Sequence, residues 1–444
     1  MNTPICDFVR DYAARGGARL HMPGHKGAPL LGFEALDITE ITGADSLFEA
    51  DGIIRESEEN ASSLFGARTF YSTEGSSLCM RAMVYLTAQY AKSIGRQPVI
   101  LAARNAHKSF LSAIALTDAD VCWLTADAPS YLSCVPTPEA LETYLQAADE
   151  NPVALYVTSP DYLGFRADIG ALAAVCHRHG MLLLVDNAHG AYLKFLPQSE
   201  HPIDLGADVC CDSAHKTLPA LTGAAYLHVS HHAPTLFAEQ ARAALALFGS
   251  TSPSYLILQS LDALGRVLAE DFPARLSAVC RRADACRARL AAHGYRLVGD
   301  ETIKLTLDAK AFGYEGRDLA RILSEQAIEI EFADRDFAVM MLSPENSEDD
   351  FLRLETALCA IPARAPITEC APAFSLPERV LSPREAILSP NETVPLANAE
   401  GRILALATVA CPPAVPIAVC GERLDRAVLD AMDYYGVYEC VVVK

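Results

Sequence analysis

The chain has 444 residues, 51% hydrophobic and 21% charged, and its 36 basic and 56 acidic residues give a formal net charge of −20. That length exceeds what one hydrophobic core fills, so two or more subdomains are expected, and the composition excludes extended disorder. The acidic excess is spread along the chain, which disfavours nucleic acid and anionic membrane as partners and permits a small cationic substrate.

The N-terminus, "MNTPICDFVRDYAARGG", carries acidic residues and no apolar run, so no signal peptide is expected and the location is read as cytoplasmic. Residues 1–40 form an N-terminal segment. From 41 to 265, short apolar runs alternate with amphipathic patterns. Pro98–Ala103, Ala119–Thr125, Val153–Ser159, Met181–Asp186, Ala207–Ser213 and Gly223–Val229 read as buried strands. Between them, "SLCMRAMVYLTAQYAKSI" and "IGALAAVCHRHG" read as helices, the second closing on Gly180. Such alternation implies a mainly parallel sheet covered on both faces.

Residues 266–362 change character. Arg266–Gly294 has an arginine-rich helical pattern, and "YRLVGD", "TIKLTLDA" and "IEIEFADRDFAVMMLS" supply strands for a smaller α/β domain. A proline-rich linker, about Ile361 to Pro377, leads into a short C-terminal domain, 363–444. The run Ile403–Gly421 has no charge, but Pro412, Pro413 and Pro416 would break a membrane-spanning helix, so two short buried strands around a Pro-Pro turn are expected. The 14 cysteines are scattered and form no C-x-x-C, which fits reduced cytosolic thiols and not a disulfide framework.

In an open α/β sheet, ligands bind beyond the carboxyl ends of the strands. "STEGSS" puts Gly75, Ser76 and Ser77 immediately before a helix, where amides and hydroxyls can hold a phosphate, although the same residues also make an ordinary cap. "LVDNAHGAY" ends a strand with Asp186, and "ADVCCDS" ends just before His215 and Lys216. With only 8 lysines against 28 arginines, a lysine at a strand end is conspicuous. Alone, Asp186 would read as a strand cap and Lys216 as a solvated loop residue. Together with a phosphate cradle they form the set that pyridoxal phosphate (PLP) needs: a lysine for the Schiff base, a carboxylate for the pyridinium nitrogen and donors for the phosphate.

"SAHKTLPALTGAAYLHV" resembles the S-x-H-K-T-L-x-A-L-T segment of the bacterial ornithine/lysine/arginine decarboxylases. "HMPGHKG", "DITEITGADSLF", "STEGSS", "RNAHKS", "SPDYLG", "VDNAHGA", "STSPSY" and "PREAILSPNETVPLANAEGRI" resemble that family's segments in the same order, from about His21 to Glu422. The resemblance implies the aspartate aminotransferase fold (fold type I). This has a mainly parallel seven-stranded sheet in the large PLP-binding domain, a smaller α/β domain and a short C-terminal domain.

By position, the resemblance makes Lys216 the Schiff-base lysine, Asp186 the pyridinium partner and His107 the imidazole stacked on the ring; His107 would otherwise be a helix-start histidine. Gly75, Ser76, Ser77, Ser213 and His215 become phosphate or near-phosphate ligands, and Ala188 and His189 join the cofactor contacts. Ser250 and Thr251, in "STSPSY", would reach a neighbouring subunit's phosphate, which implies a homodimer with shared active sites. Lys216 or His215 would return a proton to the α-carbon after CO2 leaves.

The family's C-terminal Y-P-P-G-I-P…P-G-E stands here as "CPPAVPIAVCGE", with Cys411 for tyrosine, Ala414 for glycine and Cys420 for proline. Glu422 is retained and is the candidate for the substrate's distal cation, with a surface glutamate paired to Arg423 as the plain alternative. Asn187 and Tyr192 stand where the family usually has glutamate and histidine, and Glu74 where asparagine is commoner. No receiver-like domain of the long forms is seen, so their large assemblies are not assumed, and an oligomer higher than the dimer stays open.

The reading is decarboxylation of arginine, lysine or ornithine to agmatine, cadaverine or putrescine in polyamine metabolism. The alternatives are another fold type I enzyme (an aminotransferase, lyase or aldolase) and a non-catalytic regulatory paralogue. A metal enzyme is disfavoured because His177 with His179, and His231 with His232, lack further ligands in the sequence.

Overall fold

The computed structural model describes residues 1–124, 130–148, 150–373, 375–407 and 415–444. The expected turn at Pro412 and Pro413, with Cys411 and Ala414 beside it, lies outside the described residues.

Seven strands, β1 (Arg68–Ser72), β2 (Val99–Ala103), β3 (Asp120–Leu124), β4 (Ala154–Thr158), β5 (Leu182–Asp186), β6 (Val209–Asp212) and β7 (Ala225–Val229), form one sheet in the order β1-β7-β6-β5-β4-β2-β3. β5 runs parallel to β6 and β2 to β3, whereas β7 is antiparallel to both β1 and β6. Each of the six expected runs contains one strand. The seventh, β1, is "RTFYS", which has no apolar run; its last four residues are buried through pairing with β7, from Arg68↔Val229 to Ser72↔Ala225.

The chain divides into two compact units. The first comprises Met1–Gln97, Val153–Leu155 and Ile169–Arg275. Within it the helices Gly75–Ser93 and Thr235–Phe248 pack together. The Phe65 ring lies among Phe195, His201, Tyr226 and His228. The helix Ile169–Arg178 ends as expected near Gly180, whose φ of +65° suits glycine.

The second unit comprises Pro98–Pro152, Tyr156–Asp168 and Leu276–Lys444. It holds a four-stranded sheet, β8 (Arg296–Val298), β9 (Lys304–Asp308), β10 (Phe332–Ala333) and β11 (Phe337–Met341), in the order β10-β11-β9-β8. "IEIEFADRDFAVMMLS" is therefore not one strand. It folds as a hairpin because Asp334 Oδ1 accepts from the amides of Asp336 (2.7 Å) and Phe337 (2.6 Å), which turns the chain. The arginine-rich pattern is likewise two helices, Tyr255–Ala269 and Phe272–His293, interrupted at Glu270 and Asp271.

The C-terminal sheet is β12 (Asn391–Pro395), β13 (Leu404–Leu406) and β14 (Glu439–Val443), in the order β12-β14-β13. Of the two strands expected in Ile403–Gly421, one, β13, is present among the described residues. Val415, Ile417, Ala418, Val419 and Cys420 are buried as their apolarity requires, yet the chain there makes irregular turns leading to isolated bridges at Glu422 and Arg423. Ile417 and Ala418 join a core with Val428, Leu429 and Met432 of the helix Arg426–Tyr434. Among the described residues, no helix is long and apolar enough to cross a membrane, and the 13 described cysteines are free.

Candidate active site

In the first unit, Asp186, Ala188, His189, Ser213, His215 and Lys216 stand in or just beyond the ends of β5 and β6. β5 is a fully buried "LLLVD" whose last residue, Asp186, is 3% exposed. Its Oδ1 accepts from the Ala188 amide at 3.2 Å and from the Cys211 thiol at 3.7 Å. β6 ends at Asp212. Ser213 follows, then the single turn Ala214–Thr217 that carries His215 and Lys216, closed by the Lys216 amide on Ser213 O at 3.0 Å. Lys216 is exposed, and its Nζ lies 2.9 Å from Nε2 of the buried His189. His215 donates from Nδ1 to Ala224 O at 2.9 Å, which orients its ring.

The cradle lies in the same unit. The helix Gly75–Ser93 starts without a cap bond from the side chain of Glu74, its N-cap residue. Gly75 turns into the helix with φ +72°, and open space stands where a side chain would be. Its amide donates to Gly223 O at 2.8 Å, joining the cradle to the loop before β7. Ser213 Oγ donates to Ser76 Oγ at 2.8 Å, so one hydroxyl from each segment meets the other. The Ser250 amide donates at 2.6 Å to Glu74, beside this chain's own cradle, while Ser250 and Thr251 are exposed. These residues fit PLP: a helix start and two hydroxyls for a phosphate, a buried carboxylate at a strand end, and an amine on the turn after the next strand.

In the second unit, His107 is the N-cap of the helix Lys108–Thr117, its Nδ1 accepting from the Ser109 amide at 3.2 Å. The plain helix-start role is thus present. Glu422, the candidate for the substrate's distal cation, is held in an ion pair. It is 2% exposed, and Arg104 donates to both oxygens, at 2.9 and 2.7 Å, while the Val419 amide donates to one at 2.8 Å. The Arg104 guanidinium also lies over the Trp123 ring, 4.8 Å from its centroid. Glu422 is therefore neutralised inside the unit and offers no unpaired charge to a substrate cation, while Arg423 pairs with Glu378 instead.

Residues 3–305 match the family model described as "Orn/Lys/Arg decarboxylase, major domain", and 368–441 match "Orn/Lys/Arg decarboxylase, C-terminal domain". The chain belongs to the Orn/Lys/Arg decarboxylase family. It is similar to the arginine decarboxylase of Bacillus subtilis (strain 168), 30% identical over 455 residues that cover 95% of this chain and 91% of that protein. The solved lysine decarboxylase A from Pseudomonas aeruginosa shares the fold, with a TM-score of 0.81 at 20% identity over 99% of this chain and 80% of that one. An SPT structure containing PLP gives a TM-score of 0.56 at 15% identity over 81% of this chain and 83% of that one. This member of the family is accordingly a PLP-dependent amino acid decarboxylase with a fold type I large domain.

Sequence reasoning missed two arrangements. Arg104 stands in "RNAHKS", with nothing local to reveal its partner 318 positions away. The other centres on Asp212, which accepts from Asn187, His201 and His228. A charged residue closing the apolar run "VCCD" and a histidine inside "AYLHV" were the available signals, because buried polar groups need partners.

Proposed function

We propose that this decarboxylase acts on arginine, releasing CO2 and agmatine, and that it works in the cytoplasm as a homodimer in polyamine metabolism. The observation that carries the site is the meeting of Lys216 Nζ with His189 at 2.9 Å on the same loop that joins Ser213 to Ser76. Arginine in preference to lysine is supported by 30% identity over 95% of this chain to a protein named arginine decarboxylase, against 23% over 88% to the lysine decarboxylase LdcA of Pseudomonas aeruginosa. Residues 41–265 are assigned to the cofactor domain, 266–362 to the small domain and 363–444 to the C-terminal domain.

Bound PLP supplies the electron sink that lets a carbon–carboxylate bond break. The chain's residues do the rest. Gly75, Ser76, Ser77, Ser213 and His215 hold the phosphate, and Ser250 and Thr251 reach that of a second subunit. Asp186, buried and fixed by Ala188 and Cys211, would pair with the ring nitrogen and favour its protonated form. His107 is assigned to the ring face, and Ala188 and His189 to the pocket beside it. Lys216 would anchor the cofactor and, with His189 against its amine, would hold and deliver a proton at Nζ; His215 is the second candidate donor. The net reaction exchanges CO2 for a proton, so each turnover consumes one proton.

The test is to incubate the purified protein and PLP with arginine, lysine and ornithine together and to analyse the amines by mass spectrometry, with Lys216→Ala as control. Agmatine formed by the wild type alone is expected. Cadaverine or putrescine in its place would overturn the choice of arginine, and turnover by Lys216→Ala would overturn the role of that lysine.

A further inference from the structure

Asp212 lies at the end of β6 between two cofactor-site segments, and nothing in the proposed chemistry uses it. It is 0% exposed, as are Asn187, His201 and His228. Asn187 Nδ2 donates to its Oδ1 at 2.7 Å, and the Nε2 groups of His201 and His228 approach its Oδ2 at 3.0 and 3.2 Å. The far nitrogens are also occupied. His201 Nδ1 accepts from the Ile203 amide at 3.4 Å, and His228 Nδ1 meets Thr69 Oγ1 at 2.9 Å.

That pattern decides between two uses of the cluster. His201, Cys210 and Asp212 place three potential metal ligands within 4.8 Å of one another. A histidine whose Nδ1 accepts a hydrogen bond carries its proton on Nε2, and a protonated Nε2 donates to a carboxylate and cannot bind a metal. Both imidazoles can therefore stay neutral while donating to one ionised carboxylate. Burial pushes the Asp212 carboxyl upward, but the two histidines outweigh it and hold it well below the usual carboxylate range. Burial likewise pushes the His228 imidazole down, toward its neutral form.

We infer that Asp212 is a positioning residue for the cofactor site, acting through Asn187 on Asp186 and through the backbone on Ser213. Asn187 is held to the end of β6 twice, by its side chain on Asp212 and by its amide on Cys211 O at 3.0 Å. It immediately follows Asp186, so this double attachment fixes where the Asp186 carboxylate points. On the other side Asp212 leads directly into Ser213, whose hydroxyl meets Ser76. Asn187, which stands where the family usually has glutamate, suits an ionised Asp212, since a second carboxylate there would repel it and an amide donates to it. The inference rests on the PLP site proposed above, but not on which amino acid is the substrate.

The test uses PLP affinity, followed by absorbance and fluorescence titration of the apoprotein, together with kcat, KM and the unfolding midpoint. Asp212→Ala and Asn187→Ala are each expected to weaken PLP binding about tenfold or more, and the double variant to lose little beyond either single one, because both break the same link. Asp212→Asn is expected to retain most of the affinity. Asn187 Oδ1, which is buried without a partner among the described residues, can accept from the new amide after a flip, and the remaining oxygen still serves both histidines.

Losses expressed in kcat with KM little changed fit a misplaced Asp186. Should Asp212→Ala not fold, Asn187→Ala beside Asp212→Asn still tests the link. A lowered unfolding midpoint with wild-type PLP affinity and spectrum would overturn the inference, as would fully multiplicative losses in the double variant. Failure to make agmatine, with these affinities as expected, would instead count against the choice of substrate.

Discussion

Both oxygens of Glu422 accept from Arg104, and the pair is 3% and 11% exposed at its side chains. A bidentate, desolvated pair of this kind is costly to break from one side, because the remaining charge stays buried without its counter-ion. Glu422→Gln is accordingly expected to lower stability by about 3 kcal/mol in urea unfolding, while the KM of the folded variant for its amino acid changes less than about twofold. A large rise in KM with unchanged stability would restore Glu422 to the substrate. The sequence identified the residue but not its use, since a carboxylate after "CG" says nothing about a guanidinium three hundred positions earlier. Lys216 and Asp186 were legible for the opposite reason: each follows directly from where a short apolar run ends. Asp212 stands in the same motif as Lys216, yet His201 and His228 are 11 and 16 positions away on other segments, with no local spacing to tie them together.

At the scale of elements, the apolar runs located six strands to within a residue or two, because a strand buried on both faces must be apolar throughout. The misses have equally local causes: β1 owes its burial to β7, and the β10–β11 hairpin owes its turn to Asp334. Turns also carry buried charge. In the turn after β4, Asp161 Oδ1 accepts from the amides of Leu163 (3.0 Å) and Phe165 (2.8 Å), while its Oδ2 is buried without a partner among the described residues. Burial pushes this carboxyl up to about 6, against the opposing pull of Ser133, the Phe165 and Leu163 amides and Lys304. With a folded pKa above the unfolded value near 4, the favourable protonated form is fully present below about pH 4. Its contribution is lost as the pH rises through 6. Asp161→Asn keeps the acceptor and removes the charge. It is expected to match the wild type near pH 4 and to exceed its stability by about 2 kcal/mol above pH 6.5, measured by denaturant midpoints across that range. A difference independent of pH would show that Asp161 is not the titrating group.

For the whole molecule, the proposed homodimer has support in what a single chain leaves in water. Leu20 is 93% exposed, Leu30 87%, Leu31 72% and Met22 69%, all within one irregular N-terminal stretch. So much apolar surface on one short segment favours cover by another surface, and a second copy of the chain is the simplest cover for a symmetric oligomer. Whether the dimer shares its sites is a separate question, because the Ser250 amide sits against Glu74 of its own chain while Ser250 and Thr251 remain exposed. Subunit mixing separates the possibilities. A Lys216→Ala chain and a chain with Ser250→Ala and Thr251→Ala are each expected to be nearly inactive alone. If Ser250 and Thr251 complete the neighbouring subunit's site, the mixed dimer contains one site with Lys216 from one chain and both hydroxyls from the other. Random mixing should then restore about a quarter of wild-type activity, since half the dimers are mixed and one of their two sites is whole. If the two residues serve their own chain, every site in the mixture lacks one contribution, and mixing restores nothing.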